Sequence, residues 1–396
     1  MRILTVLTYY RPHTSGLTIY VERLVRTLVK RGHEITVLTT QYDKNLPREE
    51  MCDGIRVIRV PVLFRISKGV ISPTFGWQAT RLVLENDVVH LHLPQFDAAG
   101  VALRSRILRK PTVITYHCDL ELPAGLFNRF VNQVVLFMND LAGRLTHRIG
   151  AYTEDFANHS PYLQRFSNKV RVILPPVELP EASDDEVAEF QQNHNPENRG
   201  PVIGMATRFA SEKGVEILLD AFPKILERYP DAMILYAGQY LDVMGEEAYF
   251  ERLKPVIERY QSQGQWKFLG ILTPSLIAAF YPNVDVLVVP SLNSTETFGL
   301  VQIEAMINGT PTVAANLPGV RQPPTMTGMG EVVPIGDAAA LADAIVKIFT
   351  YPEDYAGDPP AIERQFSPHA NAAAYEDLYQ DLFEELGQPV PGLEDQ

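Results

Sequence analysis

The stretch "TETFGLVQIEAM", residues 295–306, sets two glutamates, Glu296 and Glu304, around seven mostly apolar residues. It follows "VDVLVVP", an apolar run that reads as a buried strand. Thr297 fits an N-cap, so a helix is expected to begin near Phe298. At such a start the backbone N–H groups of Phe298, Gly299 and Leu300 make an anion site, and Gly299 lets a phosphate approach the main chain. Glu304 would lie about six residues into that helix, roughly 9 Å along its axis. The span matches a nucleotide sugar: sugar hydroxyls at Glu296, diphosphate at the helix start, ribose hydroxyls at Glu304. Taken alone, the two also fit ordinary glutamates of a loop and a helix.

Three further stretches carry candidate chemistry. In "ATRFASEKG" a strand delivers Arg208, and Lys213 is expected to open the next helix. Both cations suit a diphosphate, Arg through a fork of donors and Lys as a point charge. In "TYYRPHTSGLTIY" Gly16 stands where the first helix begins, a place for a phosphate or a sugar hydroxyl. In "TYHCDL" His117 follows a strand and suits a sugar hydroxyl or a proton, although a partly buried structural histidine reads the same way. His90 and His92 share one strand face, but no third metal ligand is identifiable. No G-x-G-x-x-G follows the first strand, so a dinucleotide reading lacks its main support.

Alternating strands and helices must hold these residues. "RILTVLT", "HEITVLTT", "GIRVIRVP", "DVVHLHL", "PTVITYH", "HRIGAY" and "VRVILPP" read as strands. Helices are expected over "TIYVERLVRTLVKRG", Asp97 to Leu108 and Phe127 to Leu145. Residues 177–199, rich in Pro, Asn and acidic side chains, read as a connector with one surface helix. The alternation restarts at "VIGMAT" and continues through "AMILYAG", "WKFLG", "VDVLVVP" and "PTVAA". The reading is α/β: two Rossmann-like doubly wound parallel-sheet domains, 1–176 and 200–366, with the helix at about 368–386 packing back on the first. Ligands of such sheets bind beyond the carboxyl ends of the strands, so two facing sheets would place one in the cleft between them.

Composition narrows the class. The chain has 396 residues, 46% hydrophobic and 21% charged, enough apolar material for two cores. Two cysteines, Cys52 and Cys118, make neither a disulfide framework nor a four-ligand zinc site, which favours a reducing cytoplasm. "MRILTVLTYY" is too short for a signal segment, and no run approaches the ~20 apolar residues of a membrane span. Residues 1–175 hold 23 basic and 14 acidic side chains, a net of +9, and the remainder carries -22. The stretches "VLFRISKGVI" and "GLFNRFVNQVVLFMNDLAGRLTHR" mix basic and apolar residues. Together these features suggest peripheral contact of the first domain with an anionic membrane or a lipid carrier. The plainer reading has both stretches packing on the core while the charge steers a soluble acceptor. No nucleic-acid partner is expected.

The E-x7-E of "ETFGLVQIE", the spacing in "TRFASEKG", "YYRPHTSG" after the first strand, "TYH" after a later one and "GTPTVAANLPGV" occur in one order. Together they resemble the retaining glycosyltransferases of family 4, which have the GT-B fold, over nearly the whole chain. The resemblance implies that Glu296 and the amides of Phe298, Gly299 and Leu300 hold the donor sugar and its phosphate. It implies that Arg208 and Lys213 neutralise the leaving diphosphate, Glu304 takes the ribose and His117 the sugar's 6-hydroxyl, with Gly16 near the phosphates and the acceptor. Members work without a bound metal, so no cofactor is expected beyond a UDP- or GDP-linked sugar as donor. Two departures stand out: Ser15-Gly16 replaces the paired glycines of many members, and Thr207 stands where the motif before Arg208 usually has glycine. Two rival readings keep the fold: a nucleotide-sugar epimerase and a non-catalytic sugar-nucleotide-binding protein.

Overall fold

The computed structural model describes residues 1–66, 69–119 and 126–391. The chain forms two compact units: residues 1–176 together with 366–396, and residues 177–365.

The first unit is built on β1 (Arg2–Val6), β2 (Glu34–Gln41), β3 (Glu49–Cys52), β4 (Ile55–Pro61), β5 (Phe64–Ile66), β6 (Gly69–Ile71), β7 (Val88–Leu93), β8 (Thr112–Tyr116), β9 (Arg148–Ala151) and β10 (Val170–Val172). Its helices before the second unit are α1 (Gly16–Lys30), α2 (Phe75–Glu85), α3 (Ala98–Ile107), α4 (Leu126–Leu145), α5 (Glu154–His159) and α6 (Pro161–Arg165). Eight strands pair in the order β10-β9-β8-β7-β1-β2-β4-β3, all parallel except the β3–β4 edge. β1 and β7 are buried almost throughout, as strands covered on both faces must be. Leu4, Val6, Leu38, Leu91 and Ile114 pack there with Phe75 and Leu82 of α2.

Sequence reading missed α2 and β3. The buried positions of α2, Phe75, Ala79, Leu82 and Val83, do follow helical spacing. β3, "EEMC", has no apolar run and is mostly exposed, because it lies at the sheet edge. The stretch "VLFRISKGVI" contains the antiparallel pair β5–β6. Lys68 of that stretch and Gly125, which opens the other, lie outside the described residues.

The second unit runs α7 (Asp184–His194), β11 (Val202–Ala206), α8 (Val215–Arg228), β12 (Met233–Ala237), α9 (Glu247–Ser262), β13 (Trp266–Gly270), α10 (Pro274–Phe280), β14 (Val286–Val289), α11 (Leu300–Ile307), β15 (Thr312–Ala315), α12 (Gln322–Thr327), β16 (Gly330–Val333), α13 (Ala338–Thr350) and α14 (Pro359–Gln365). Its six strands are all parallel, in the order β13-β12-β11-β14-β15-β16. Ile203, Ile234, Val286 and Val288 meet Leu218, Phe222 and Ile345 from the helices.

The last helix, α15 (Pro368–Glu385), belongs to the first unit. Its Tyr375 hydroxyl lies 2.9 Å from that of Tyr20 on α1, and Glu376 binds Arg31 and His33. Counted with its C-terminal segment, the first unit holds 23 basic against 21 acidic side chains, a net of +2 rather than +9, and the second unit holds -15.

Candidate functional site

In the second unit, β11 and β14 are neighbours, so the loops leaving their carboxyl ends run side by side. The loop after β11 ends in a single 3-10 turn, Ser211–Lys213, followed by Gly214 in the left-handed region at φ +69. Lys213 therefore closes that turn, and α8 starts only at Val215. Glycine is required at 214: a Cβ there would stand 2.2 Å from the Pro290 carbonyl oxygen, and the positive φ would strain it as well. The Leu292 N–H donates to the Glu212 carbonyl at 2.9 Å, which ties the two loops together.

That tie places Lys213 against Glu296. Nζ of Lys213 donates to Oε2 of Glu296 at 2.6 Å, and the two side chains are only 16% and 22% exposed. The other carboxylate oxygen, Oε1, accepts the N–H of Gly299 at 3.1 Å. Gly299, at φ +74, is itself the N-cap of α11, whose first residue is Leu300. The expected Thr297 cap and the start near Phe298 are thus displaced: the positive-φ glycine turns the chain into the helix. The amide of Gly299 is bonded within the chain, and its partner is an anion, the Glu296 carboxylate. One ammonium and one helix-start amide already converge on a single oxyanion.

The other site residues of this unit have their own partners. Arg208 pairs with Glu212 four residues on, and its side chain is 41% exposed. Glu212 escaped sequence reading, although the four-residue spacing in "TRFASEK" was there to see. Glu304 is the fifth residue of α11, about 6 Å along the axis from Leu300. It is 9% exposed, and its Oε2 accepts the Tyr281 hydroxyl at 2.9 Å. Phe298 is buried in the loop just before the helix. Lys213, Glu296 and Gly299 are brought together; Arg208 and Glu304 are held by Glu212 and Tyr281.

Gly16 and His117 belong to the first unit. Gly16 is the first residue of α1, behind a capping box in which Ser15 and Thr18 exchange hydrogen bonds. A Cβ on Gly16 meets nothing within 4 Å, so packing does not demand glycine there. His117 follows β8 and is buried. Its Nδ1 bonds the Tyr152 hydroxyl, and its Nε2 lies 3.0 Å from Nδ1 of His92. His90 bonds Thr115 at 2.6 Å and Tyr379 of α15 at 2.8 Å. Burial pushes His90 and His117 down to about 3, and burial with the neighbouring histidines holds His92 well below the usual imidazole range. All three are neutral at physiological pH. Among the described residues, no three His, Cys, Asp or Glu side chains converge as metal ligands.

Comparison with known proteins covers both units. Residues 186–356 match the family described as glycosyl transferases group 1, and residues 14–180 match glycosyltransferase family 4. The phosphatidyl-myo-inositol mannosyltransferase of Mycobacterium leprae is 27% identical over 88% of this chain and 87% of its own length. The 2-deoxystreptamine N-acetyl-D-glucosaminyltransferase of Streptomyces fradiae is 28% identical over 83% and 81%. Among solved structures, Anabaena HepE in complex with UDP superposes with a TM-score of 0.75 at 20% identity, over 96% of this chain and all of that one.

Proposed function

We propose, from the premise that the chain belongs to the group 1, family 4 glycosyl transferases and has their GT-B fold, that it moves a hexose from a nucleoside diphosphate sugar to an acceptor hydroxyl with retention at the anomeric carbon. The chain is a glycosyltransferase; the donor, the acceptor and the residue roles are the proposal. One observation carries it: Lys213 and the Gly299 N–H converge on one carboxylate, that of Glu296, at the start of α11.

In this reading the donor diphosphate takes the place of the Glu296 carboxylate on Lys213 and on the amides around Gly299. Glu296 is then released to the sugar hydroxyls. Arg208 joins Lys213 on the leaving diphosphate, and Glu304 binds the ribose. His117, neutral and oriented by Tyr152 and His92, is assigned the sugar's 6-hydroxyl, and Gly16 the phosphates or the acceptor. The bond from C1 to the phosphate oxygen breaks as the acceptor oxygen bonds C1 on the same face, and the acceptor's proton passes to that phosphate oxygen. The cations and the helix start stabilise the developing charge without a metal cofactor. The nucleoside is uridine or guanosine; the UDP bound to HepE favours the first.

The acceptor is a lipid or lipid-linked compound, and the first unit meets an anionic membrane peripherally. The name of the Mycobacterium leprae relative supports this. So do three exposed apolar side chains of the first unit, Leu63, Phe64 and Trp77, at 68%, 49% and 71%. Leu63 and Trp77 line a groove of about 610 Å³ together with Arg48, Glu49 and Arg59, the last buried and paired with Glu50. The near-neutral charge of that unit makes apolar contact the larger contribution. No helix of the described residues is long and apolar enough to cross a membrane.

The test is incubation with UDP-glucose, UDP-galactose and GDP-mannose, alone and with free-sugar and lipid-extract acceptors. Nucleoside diphosphate release with transfer of the sugar is expected. Sugar interconversion without release would make the protein an epimerase, and neither outcome would leave a binding protein.

A further inference from the structure

In the first sheet β1 lies between β2 and β7: the chain moves outward from β1 to β2 and then returns to the other side of β1 as β7. The carboxyl ends of β1 and β7 therefore form the topological switch point, the place where doubly wound sheets bind ligands. Gln95 stands two residues beyond β7. Its side chain is 98% buried (2% exposed), and neither its amide nitrogen nor its amide oxygen has a hydrogen-bond partner among the described residues. Beside it, Asn139 of α4 is 1% exposed; its Oδ1 accepts the Gln95 backbone N–H at 3.3 Å, while its Nδ2 is unpartnered. Two helical turns earlier on the same face of α4, Asn132 carries a further unpartnered oxygen. Phe96, next to Gln95, keeps 36% of its surface exposed.

Buried amides without partners are costly, and native structures hold few of them. Here the amides of Gln95 and Asn139 meet at one strand end, and the exposed Phe96 follows in sequence. We infer that the carboxyl end of β7 is the subsite for an uncharged polyhydroxyl ring of the acceptor, with Gln95 and Asn139 reading adjacent hydroxyls and Phe96 stacking on the ring's C–H face. This rests on the glycosyltransferase reading and names the chemistry of its acceptor.

The composition of the cluster selects that chemistry. Each amide offers donors and an acceptor, which suits hydroxyls that both give and take hydrogen bonds. An apolar ligand would leave the amides stranded. A phosphate would need a cation, and the nearest charge in sequence is Asp97, whose carboxyl burial pushes up to about 6 against a small opposing pull from Arg104. The amide atoms are out of contact with solvent, so seating the ring requires the Phe96 segment to shift locally.

The test uses saturation-transfer NMR on the full chain with methyl α-D-glucopyranoside and myo-inositol as probes, on wild type, Gln95→Met and Asn139→Leu. Both substitutions put an apolar side chain of similar length in place of the amide; Asn139→Leu is the bulkier change and also removes the acceptor of the Gln95 N–H. Wild type should transfer saturation to at least one polyol, and each variant should lose at least fivefold of it. Gln95→Met should melt at or above the wild-type temperature, because it removes unsatisfied polar atoms. If Asn139→Leu fails to fold, Gln95→Met decides alone. No polyol saturation in wild type, undiminished saturation in the variants, or a clear drop in the melting temperature of Gln95→Met would each overturn the inference. The last outcome would mark the amides as parts of a buried-water network. Titration of UDP and GDP into the same samples tests the transferase reading separately, and all three proteins should bind nucleotide alike.

Discussion

The pairing of Lys213 with Glu296 gives the account its sharpest handle. The pair is mostly buried, at 16% and 22% side-chain exposure, so its coupling should exceed that of a surface ion pair at roughly 0.2–1 kcal/mol. It should fall short of the roughly 3–5 kcal/mol lost when a fully buried pair is broken. Lys213→Ala and Glu296→Gln are each expected to destabilise the second unit by about 1–2 kcal/mol. The double variant should lose little more than either single one, since the interaction is removed once. Urea unfolding followed by tryptophan fluorescence reads this directly. Trp266 of the second unit is buried, whereas Trp77, the other tryptophan, is already exposed. Turnover should respond far more. A charge-assisted contact that strengthens as the diphosphate leaves is worth about 2–4 kcal/mol of barrier, a loss of roughly 30- to 1000-fold for Lys213→Ala. A Lys213→Ala protein that loses stability as described yet turns over within threefold of wild type would refute the reasoning, because the pair would then be structural only.

Other expectations follow from the same geometry. Glu296→Gln should impair transfer while leaving nucleoside diphosphate affinity within about threefold, whereas Glu304→Ala should weaken that affinity; calorimetry with the free nucleotide separates the two. The neutral, buried His90, His92 and His117 bind protons only when unfolded, so stability of the first unit should fall as pH drops from about 6.5 toward 3. Asp97, raised to about 6, works the opposite way as pH falls from 6 toward 4. The net loss between pH 6.5 and 5.5 should be about 2 kcal/mol, read by near-ultraviolet dichroism of the tyrosines in urea; a flat profile would contradict it. Co-sedimentation with liposomes should be stronger with anionic than with neutral lipid and should drop at least threefold in Trp77→Ser; no binding to any liposome would leave a soluble acceptor.

Much of this was legible in the chain itself. Apolar runs such as "RILTVLT" and "VDVLVVP" mark strands buried on both faces, and the glycines and cations that follow them mark loop ends. What escaped was set by tertiary contact. Nothing local shows that Gly299 rather than Thr297 turns the chain into α11, because its φ of +74 depends on the loop before it. Spacing alone cannot show that Lys213 meets Glu296, since the contact spans 83 residues and needs the β11–β14 pairing. The charge asymmetry of the linear chain misled for the same reason: the five acidic residues of α15 belong to the first unit. The orphaned amides of Gln95 and Asn139 had no signal in sequence at all, because burial and the lack of partners are properties of the fold.

The loop ends of β11 and β14 and the start of α11 are proposed to bind the diphosphate of a nucleotide sugar. Calorimetric titration of UDP and GDP into wild type and the Arg208→Ala/Lys213→Ala double variant tests it most directly. The account predicts that one of the two nucleotides binds wild type at a single site, and that the double variant binds it at least about 30-fold more weakly, roughly 2 kcal/mol for two charge-assisted contacts. Equal affinity in both proteins, or no nucleotide binding by wild type, would contradict it.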